Sequence, residues 1–199
     1  MTDHLTLDTN VLRDWAWAEH RSLEVRHGAN ESKRTQLLHI FTLLREWRDM
    51  GRCEFAVTTQ LFTDYGGSVE SVPSFIRGMI GNFLELGVPS VFTFPLAFPA
   101  AFPDMADLQR ILDVVFPGSG PFEELKGDTR SDGRRKDVLQ LYGHKLAGRD
   151  RFLTSDKAIL RARTALSAEC GITVTGLEDY ARDALSRPKP RDEGRDGAA

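Results

Sequence analysis

The chain has 199 residues and a formal net charge of −3, with 41% hydrophobic and 28% charged residues. This length suits one α/β domain with a sizeable core, and the composition excludes collagen-like, disordered and membrane-spanning classes. The sequence contains no apolar run of the roughly 18 residues that a bilayer requires and no leader-like start, so no membrane association is expected and a cytoplasmic location is predicted.

The first third of the chain alternates between predicted strands and helices. Residues 4–8 predict a short buried strand that ends on an acid, with a helix from about residue 11. Residues 32–50 carry apolar side chains at the spacing of three and four that lines one helical face, and Gly51 ends that helix. A second strand is predicted over residues 55–58 and a further helix over 60–65.

The middle of the chain, about residues 68–130, interrupts this alternation. Helices are predicted over residues 73–87 and 105–116, but residues 91–103 contain three prolines at intervals of four, which a continuous helix or a central strand does not tolerate. Four phenylalanines in that stretch are predicted to pack it onto the core, and base stacking or self-association are the alternatives. We therefore predict a helical, Pro- and Phe-rich insertion into an α/β core.

Alternation resumes in the last third of the chain. Helices are predicted over residues 137–146, 157–168 and 177–186, and strands over 151–154 and 172–175. This order favours a central, mainly parallel sheet with helices on both faces. Residues 187–199 are predicted to be a disordered tail, which leaves a single domain over residues 1–186.

Four aspartates occupy corresponding places in this architecture. Asp8 ends the first strand, Asp64 lies on the helix after the second, Asp137 is predicted to open a helix, and Asp156 follows a later strand. The carboxyl ends of parallel strands form the crevice where ligands bind, and clustered carboxylates need cations to remain ionised. Magnesium or manganese suits oxygen ligands, and two such ions can activate a water and stabilise a leaving oxygen on a phosphodiester.

Each acid also has a purely structural interpretation. Asp8 could form a turn at a strand end, Asp156 could cap the helix that follows it, Asp137 could favour the positive end of a helix dipole, and Asp64 could be a solvated surface acid. It is the joint placement of the four acids that favours a metal site.

Several segments of the sequence resemble motifs of PIN domains. Leu7-Asp8-Thr9-Asn10-Val11-Leu12 is similar to the opening motif of that family, and residues 152–160 resemble its late strand, which ends in Thr-x-Asp. Lys136-Asp137-Val138-Leu139 is similar to the helix that carries the third acid, and residues 58–66 to the segment that supplies the second. The resemblance spans both halves of the chain and omits the middle insertion and the tail.

The resemblance implies a PIN-like three-layer sandwich that hydrolyses RNA. It implies Asp8, Asp137 and Asp156 as ligands of Mg²⁺ or Mn²⁺, with Asp64 assisting. Asn10 and either Thr154 or Ser155 would orient ligands and water by hydrogen bonding. Many bacterial members are VapC-like toxin ribonucleases held inactive by an antitoxin protein, and others process RNA. The middle insertion is a departure from the compact toxins.

Basic residues near the predicted acids are candidates for RNA binding. Arg134, Arg135 and Lys136 run directly into Asp137, and Arg149 lies in the loop before a strand. Beside the acids they could hold the RNA backbone, and the alternative is a solvated loop. Trp17 is a candidate interface anchor, and a homodimer is a candidate assembly.

Two other functions compete with the nuclease. The first is a non-catalytic PIN-like module that binds RNA or a protein partner, favoured by the loose match around Asp64. The second is a magnesium phosphatase of the haloacid dehalogenase kind, whose opening motif has a second acid where this sequence has Asn10. That difference disfavours the phosphatase.

Overall fold

A parallel β-sheet flanked by helices forms the architecture in a computed structural model that describes residues 2–20, 31–66, 68, 70–81, 83–86, 104–125 and 127–186. The strands are β1 (Asp3–Leu7), β2 (Cys53–Thr58), β3 (Leu84–Leu86), β4 (Arg151–Thr154) and β5 (Val174–Gly176). The helices are α1 (Thr9–His20), α2 (Glu31–Asp49), α3 (Gln60–Asp64), α4 (Ser74–Ile80), α5 (Met105–Val115), α6 (Thr129–Leu146), α7 (Lys157–Arg161), α8 (Arg163–Ala165) and α9 (Leu177–Ser186). A 3₁₀ turn covers Phe122–Glu124, and a π turn covers Leu166–Cys170.

The described strands form one sheet in the order β3-β2-β1-β4-β5, and every neighbouring pair is parallel. In this register Leu5 of β1 lies beside Phe55 of β2 and Arg151 of β4. Because the strands are parallel, their carboxyl ends share one edge of the sheet. Central strand β1 therefore delivers Asp8 to the middle of that edge.

Helices cover both faces of the sheet and bury two apolar clusters. On one face, Leu5, Leu7 and Phe55 pack with side chains of α1, α2, α4 and α9. On the other, Phe152 and Val174 pack with α5, α6 and α7. This arrangement of helix, sheet and helix layers agrees with the α/β fold predicted from the alternating pattern.

Most predicted elements are confirmed within two residues, in both halves of the chain. The predicted helix over residues 73–87 is wrong in its second half, because α4 ends at Ile80 and Leu84–Leu86 pairs with Ala56–Thr58 of β2. Backbone pairing at the edge of the sheet outweighs helical propensity there. Part of the segment predicted as an insertion thus belongs to the central sheet.

Helix α6 begins at Thr129, eight residues before the predicted start at 137. Asp128 caps it, since its Oδ1 accepts hydrogen bonds from the backbone N–H groups of Arg130 and Ser131 at 2.8 and 2.9 Å. Asp137 therefore lies in the middle of a helix and not at its start. The basic run before Asp137 is helical as well.

Two further boundaries differ from the prediction, and some predicted features lie outside the described residues. The helix predicted over residues 157–168 is broken into α7, α8 and the π turn, which ends at Gly171 with a φ of 69°. The last strand is Val174–Gly176, shifted along the chain from residues 172–175. The Pro- and Phe-rich stretch at 91–103 and the predicted tail at 187–199 lie outside the described ranges. Among the described residues, no helix is long and apolar enough to cross a membrane.

Candidate active site

The carboxyl edge of the sheet opens into a cleft of about 380 Å³, here called the acidic cleft, which all four predicted aspartates line. Asp8 and Asp156 follow the adjacent strands β1 and β4, while α3 supplies Asp64 and α6 supplies Asp137. Residues far apart in the sequence thus converge because a parallel sheet gathers its strand ends at one edge.

Asp8 lies at the floor of the acidic cleft and is only 2% exposed. Its Oδ2 accepts a hydrogen bond from Thr154 Oγ1 at 2.5 Å, and the backbone and side-chain nitrogens of Asn10 each lie 3.3 Å from a carboxylate oxygen. Burial raises the pKa of Asp8 to about 6, although these hydrogen bonds oppose the shift. Asn10 and Thr154, both predicted to orient ligands, hold the carboxylate in place.

Asp137 faces the other acids from the middle of α6. Burial raises the pKa of its carboxyl to about 8, and repulsion from Asp8, then Asp156 and Asp64, adds to the shift. Lys136 opposes the shift weakly. Near neutral pH this carboxyl therefore needs either a proton or a neighbouring cation.

Asp156 combines a structural role with a place in the acidic cleft. Its Oδ1 accepts hydrogen bonds from the backbone N–H groups of Ala158 and Ile159 at 2.6 and 3.1 Å, so it caps α7. Its own N–H donates to Thr154 Oγ1 at 2.9 Å. The hydroxyl of Thr154 therefore connects the backbone of Asp156 to the carboxylate of Asp8. The helix cap uses Oδ1 of Asp156.

Asp64 is held by several donors at the opposite wall of the cleft. Its Oδ2 accepts hydrogen bonds from Thr9 Oγ1 at 2.7 Å and Gln140 Nε2 at 3.4 Å. Its Oδ1 lies 3.4 Å from the ammonium of Lys136. The sequence interpretation missed Thr9 and Gln140, although Thr9 directly follows Asp8 and Gln140 lies three residues after Asp137, on the same helical face.

Among the predicted RNA-binding residues, Lys136 lines the acidic cleft, together with the unpredicted Arg13. Arg13 lies over the ring of Tyr65, 5.5 Å from its centroid. Arg134 and Arg135 instead lie over the rings of Phe116 and Phe122, at 5.5 and 5.4 Å. These two arginines cover apolar side chains with their guanidinium groups, a use that charge alone does not reveal.

Arg149, which was predicted to bind RNA, has a side chain that is only 6% exposed and does not line the acidic cleft. The guanidinium bonds to Glu54 Oε1 at 2.7 Å, to Glu54 O at 2.8 Å and to Leu5 O at 3.2 Å. Arg149 thus joins the loop before β4 to β1 and β2. Nearby His144 is also buried, with Nδ1 2.9 Å from Thr6 Oγ1, and burial lowers its pKa to about 4.

The side chains of the acidic cleft suit a metal ion by the type of their donor atoms more than by the distances between them. Within the described ranges, no three His, Cys, Asp or Glu side chains are grouped closely enough to hold a metal ion as they stand. The donor set is nevertheless all oxygen, which suits Mg²⁺ or Mn²⁺, and burial followed by repulsion from the other three acids raises the pKa of Asp137, so a cation would favour its charged form. We attribute the spread of the carboxylates to the hydrogen bonds and the lysine that hold them.

The chain matches no known protein-family model, and no curated protein is significantly similar to it. Conclusions about its function therefore depend on the residues of the cleft.

Proposed function

We propose that the chain is a metal-dependent, PIN-like endoribonuclease that hydrolyses RNA phosphodiester bonds. The observation that carries this proposal is the convergence of Asp8, Asp64, Asp137 and Asp156 on one cleft at the carboxyl edge of a parallel sheet. Burial, and then repulsion from Asp8, Asp156 and Asp64, raises the pKa of Asp137 to about 8, so a divalent cation is the natural counterion of its charged form.

The proposed division of labour follows from what each side chain contacts. Asp8, Asp137 and Asp156 would supply carboxylate oxygens for Mg²⁺ or Mn²⁺. Thr154 Oγ1 orients the Asp8 carboxylate by donating to it and accepts a hydrogen bond from the backbone N–H of Asp156. Bound metal would activate a water for in-line attack and stabilise the leaving oxygen.

Cationic side chains at the wall of the cleft are assigned to the RNA backbone. Lys136 pairs with Asp64 at the cleft, and Arg13 is held at the same cleft by the ring and hydroxyl of Tyr65. Asp64 assists by holding Lys136 in place. Such contacts to phosphate oxygens position a strand without reading its sequence.

A non-catalytic PIN-like module that binds RNA or a protein is the second candidate, and one observation favours it. The acids of the described chain are not grouped closely enough to hold an ion as they stand, and Lys136 partly neutralises Asp64. A site adapted to binding alone could keep these acids for their hydrogen bonds.

Cleavage of labelled single-stranded RNA by the purified protein with Mn²⁺ or Mg²⁺ separates the two candidates. We expect cleavage that EDTA abolishes and that Asp8→Asn reduces at least a hundredfold, a loss of about 2.7 kcal/mol of transition-state stabilisation. Asp49→Asn is the matched control, because Asp49 is exposed at the end of α2 and contacts the neighbouring Arg48. RNA binding without cleavage under all metal conditions would support the non-catalytic module.

A toxin role with an antitoxin partner belongs to the same proposal and has its own test. Growth arrest on expression of the wild type, absent with Asp8→Asn, would support a toxin. Relief by the product of a neighbouring reading frame would identify the antitoxin, and light scattering of the purified chain would test a homodimer. Normal growth on expression of the active nuclease would contradict the toxin role.

A further inference from the structure

Asp64 differs from the other three acids of the cleft in what surrounds its carboxylate. Its Oδ2 accepts hydrogen bonds from Thr9 Oγ1 at 2.7 Å and from Gln140 Nε2 at 3.4 Å, and its Oδ1 lies 3.4 Å from the ammonium of Lys136. Both carboxylate oxygens therefore already face donors, and one of these donors carries a full positive charge. The charge of Asp64 is thus balanced by a lysine of the same cleft.

Gln140 anchors Asp64 through a buried amide group. Gln140 is only 3% exposed, and its Nε2 donates to Thr9 Oγ1 at 3.1 Å as well as to Asp64. Since Gln140 follows Lys136 by four residues on α6, the two side chains leave the helix on the same face. The amide thus holds Asp64 of α3 against the face of α6 that carries Lys136.

A divalent cation on Asp64 would compete with Lys136. An ion bound to Oδ1 would lie beside the ammonium, and two cations at such a short distance repel each other. Asp64 is also the acid that affects Asp137 least. Burial raises the pKa of Asp137 most, and of the three acids whose charges add to the shift, Asp64 adds the smallest part. Asp64 is therefore better placed to hold Lys136 than to hold a metal ion.

We propose that Asp64 positions Lys136 for the RNA backbone and is not a metal ligand, and that Gln140 is the residue that holds Asp64 in place. This inference rests on the proposed nuclease function and specifies how its RNA-binding wall works. The ammonium has more than one N–H donor, so it can keep Asp64 and still donate to a phosphate oxygen. A lysine that is already ordered loses less side-chain entropy when RNA binds. The metal is left to the other three acids of the cleft.

Binding of labelled single-stranded RNA in EDTA, followed by fluorescence anisotropy, tests the positioning role without cleavage. We expect Gln140→Met to weaken RNA binding about fivefold, because the Lys136 ammonium must then be ordered when RNA binds. In a Lys136→Met background the same substitution should change RNA affinity by less than about twofold, since Gln140 acts through Lys136.

Gln109→Met is the matched control for the loss of a bonded amide. The Gln109 side chain donates to Asp113 Oδ1 at 2.9 Å and accepts from the backbone N–H of Phe122 at 2.7 Å, and it does not line the acidic cleft. Gln109→Met should lower the melting temperature as Gln140→Met does, and it should leave RNA affinity unchanged.

Mn²⁺ binding, measured by titration calorimetry, tests whether Asp64 is a ligand. The double variant Asp64→Asn with Lys136→Met removes the ion pair and leaves the net charge of the cleft unchanged. We expect this variant to bind Mn²⁺ within about threefold of the wild-type affinity, whereas Asp137→Asn should weaken binding by at least about tenfold. A loss in the double variant as large as that in Asp137→Asn would make Asp64 a ligand and overturn the proposal.

The RNA results separate this inference from the nuclease proposal. Unchanged RNA affinity in Gln140→Met, a loss that persists in the Lys136→Met background, or an equal loss in Gln109→Met would each overturn it. Wild-type affinity no greater than that of Lys136→Met would overturn it as well. If RNA is cleaved and one of these results is found, the positioning inference alone fails. If the RNA affinities are as expected and RNA is never cleaved, the nuclease proposal alone fails.

Discussion

Replacing Asp137 with asparagine removes the charge that the acidic cleft disfavours most. The pKa of this carboxyl rises from 3.8 to about 8, mainly through burial and then through repulsion by three neighbouring acids. Between those values the folded protein binds a proton that the unfolded chain releases. Stability of the metal-free protein should therefore fall as the pH rises from about 4 to about 8. The raised pKa of Asp8, about 6, acts in the same direction over a narrower range.

The size of the effect follows from the shift. A shift of roughly 4 pKa units corresponds to at most about 6 kcal/mol at alkaline pH, at 1.36 kcal/mol per unit. Asp137 is partly exposed and titrates together with its neighbours, so we take about 2–3 kcal/mol as the expected gain for Asp137→Asn at pH 9. At pH 4, close to the pKa of 3.8 in the unfolded chain, the loss is small, and the variant and the wild type should differ by no more than about 0.6 kcal/mol.

Thermal unfolding in EDTA at pH 4 and pH 9 measures this difference. For a chain of this length we expect Asp137→Asn to melt about 5–10 °C above the wild type at pH 9 and close to it at pH 4. Added Mn²⁺ should stabilise the wild type at pH 9 more than the variant, because the variant lacks one proposed ligand. Equal melting temperatures at pH 9 would refute the reasoning, since burial and the neighbouring acids would then not disfavour the charged form of Asp137.

Three further substitutions test individual contacts. Thr154→Val removes the hydroxyl that holds Asp8. We expect a free energy of unfolding about 2–3 kcal/mol lower in urea titration, and at least tenfold slower RNA cleavage. An unchanged free energy of unfolding would contradict these hydrogen bonds. Arg149→Met breaks the hydrogen bonds to Glu54 and should lower the free energy of unfolding by about 2 kcal/mol in the same urea assay, with RNA affinity unchanged. A loss of RNA affinity without a loss of stability would support the predicted RNA-binding role of Arg149. Lys136→Met should weaken RNA binding and reduce the slope of log Kd against log salt concentration by about 1, as measured by fluorescence anisotropy. An unchanged slope would mean that Lys136 does not contact the RNA backbone.

The strand ends were the most predictable part of the molecule. β1 and β4 are short strands with buried apolar side chains, and each stops near an acid, so the local pattern located Asp8 and Asp156 at the carboxyl edge of the sheet. Longer amphipathic helices such as α2 were equally clear. The three-residue strand β3 is too short to show a period, and it forms because the backbone of β2 offers a pairing edge.

The start of α6 and the roles of the basic residues were harder to predict. A solvated loop was the alternative interpretation of the basic residues before Asp137, whereas the cap at Asp128 starts the helix well before Asp137. Tertiary context decided the rest. The burial of Arg149 depends on Glu54 and Leu5, which are distant in sequence, and a charged residue in a loop carries no local sign of such partners. The Gln140–Asp64 contact is of the same kind.

The most direct test of the central claim is cleavage of single-stranded RNA by the purified wild type in Mn²⁺, beside Asp8→Asn and Asp49→Asn. The account predicts cleavage by the wild type and by Asp49→Asn, at least a hundredfold loss in Asp8→Asn, and no cleavage in EDTA. Cleavage that persists in EDTA or in Asp8→Asn would contradict a metal-dependent acidic cleft, and RNA binding without any cleavage would contradict the nuclease itself.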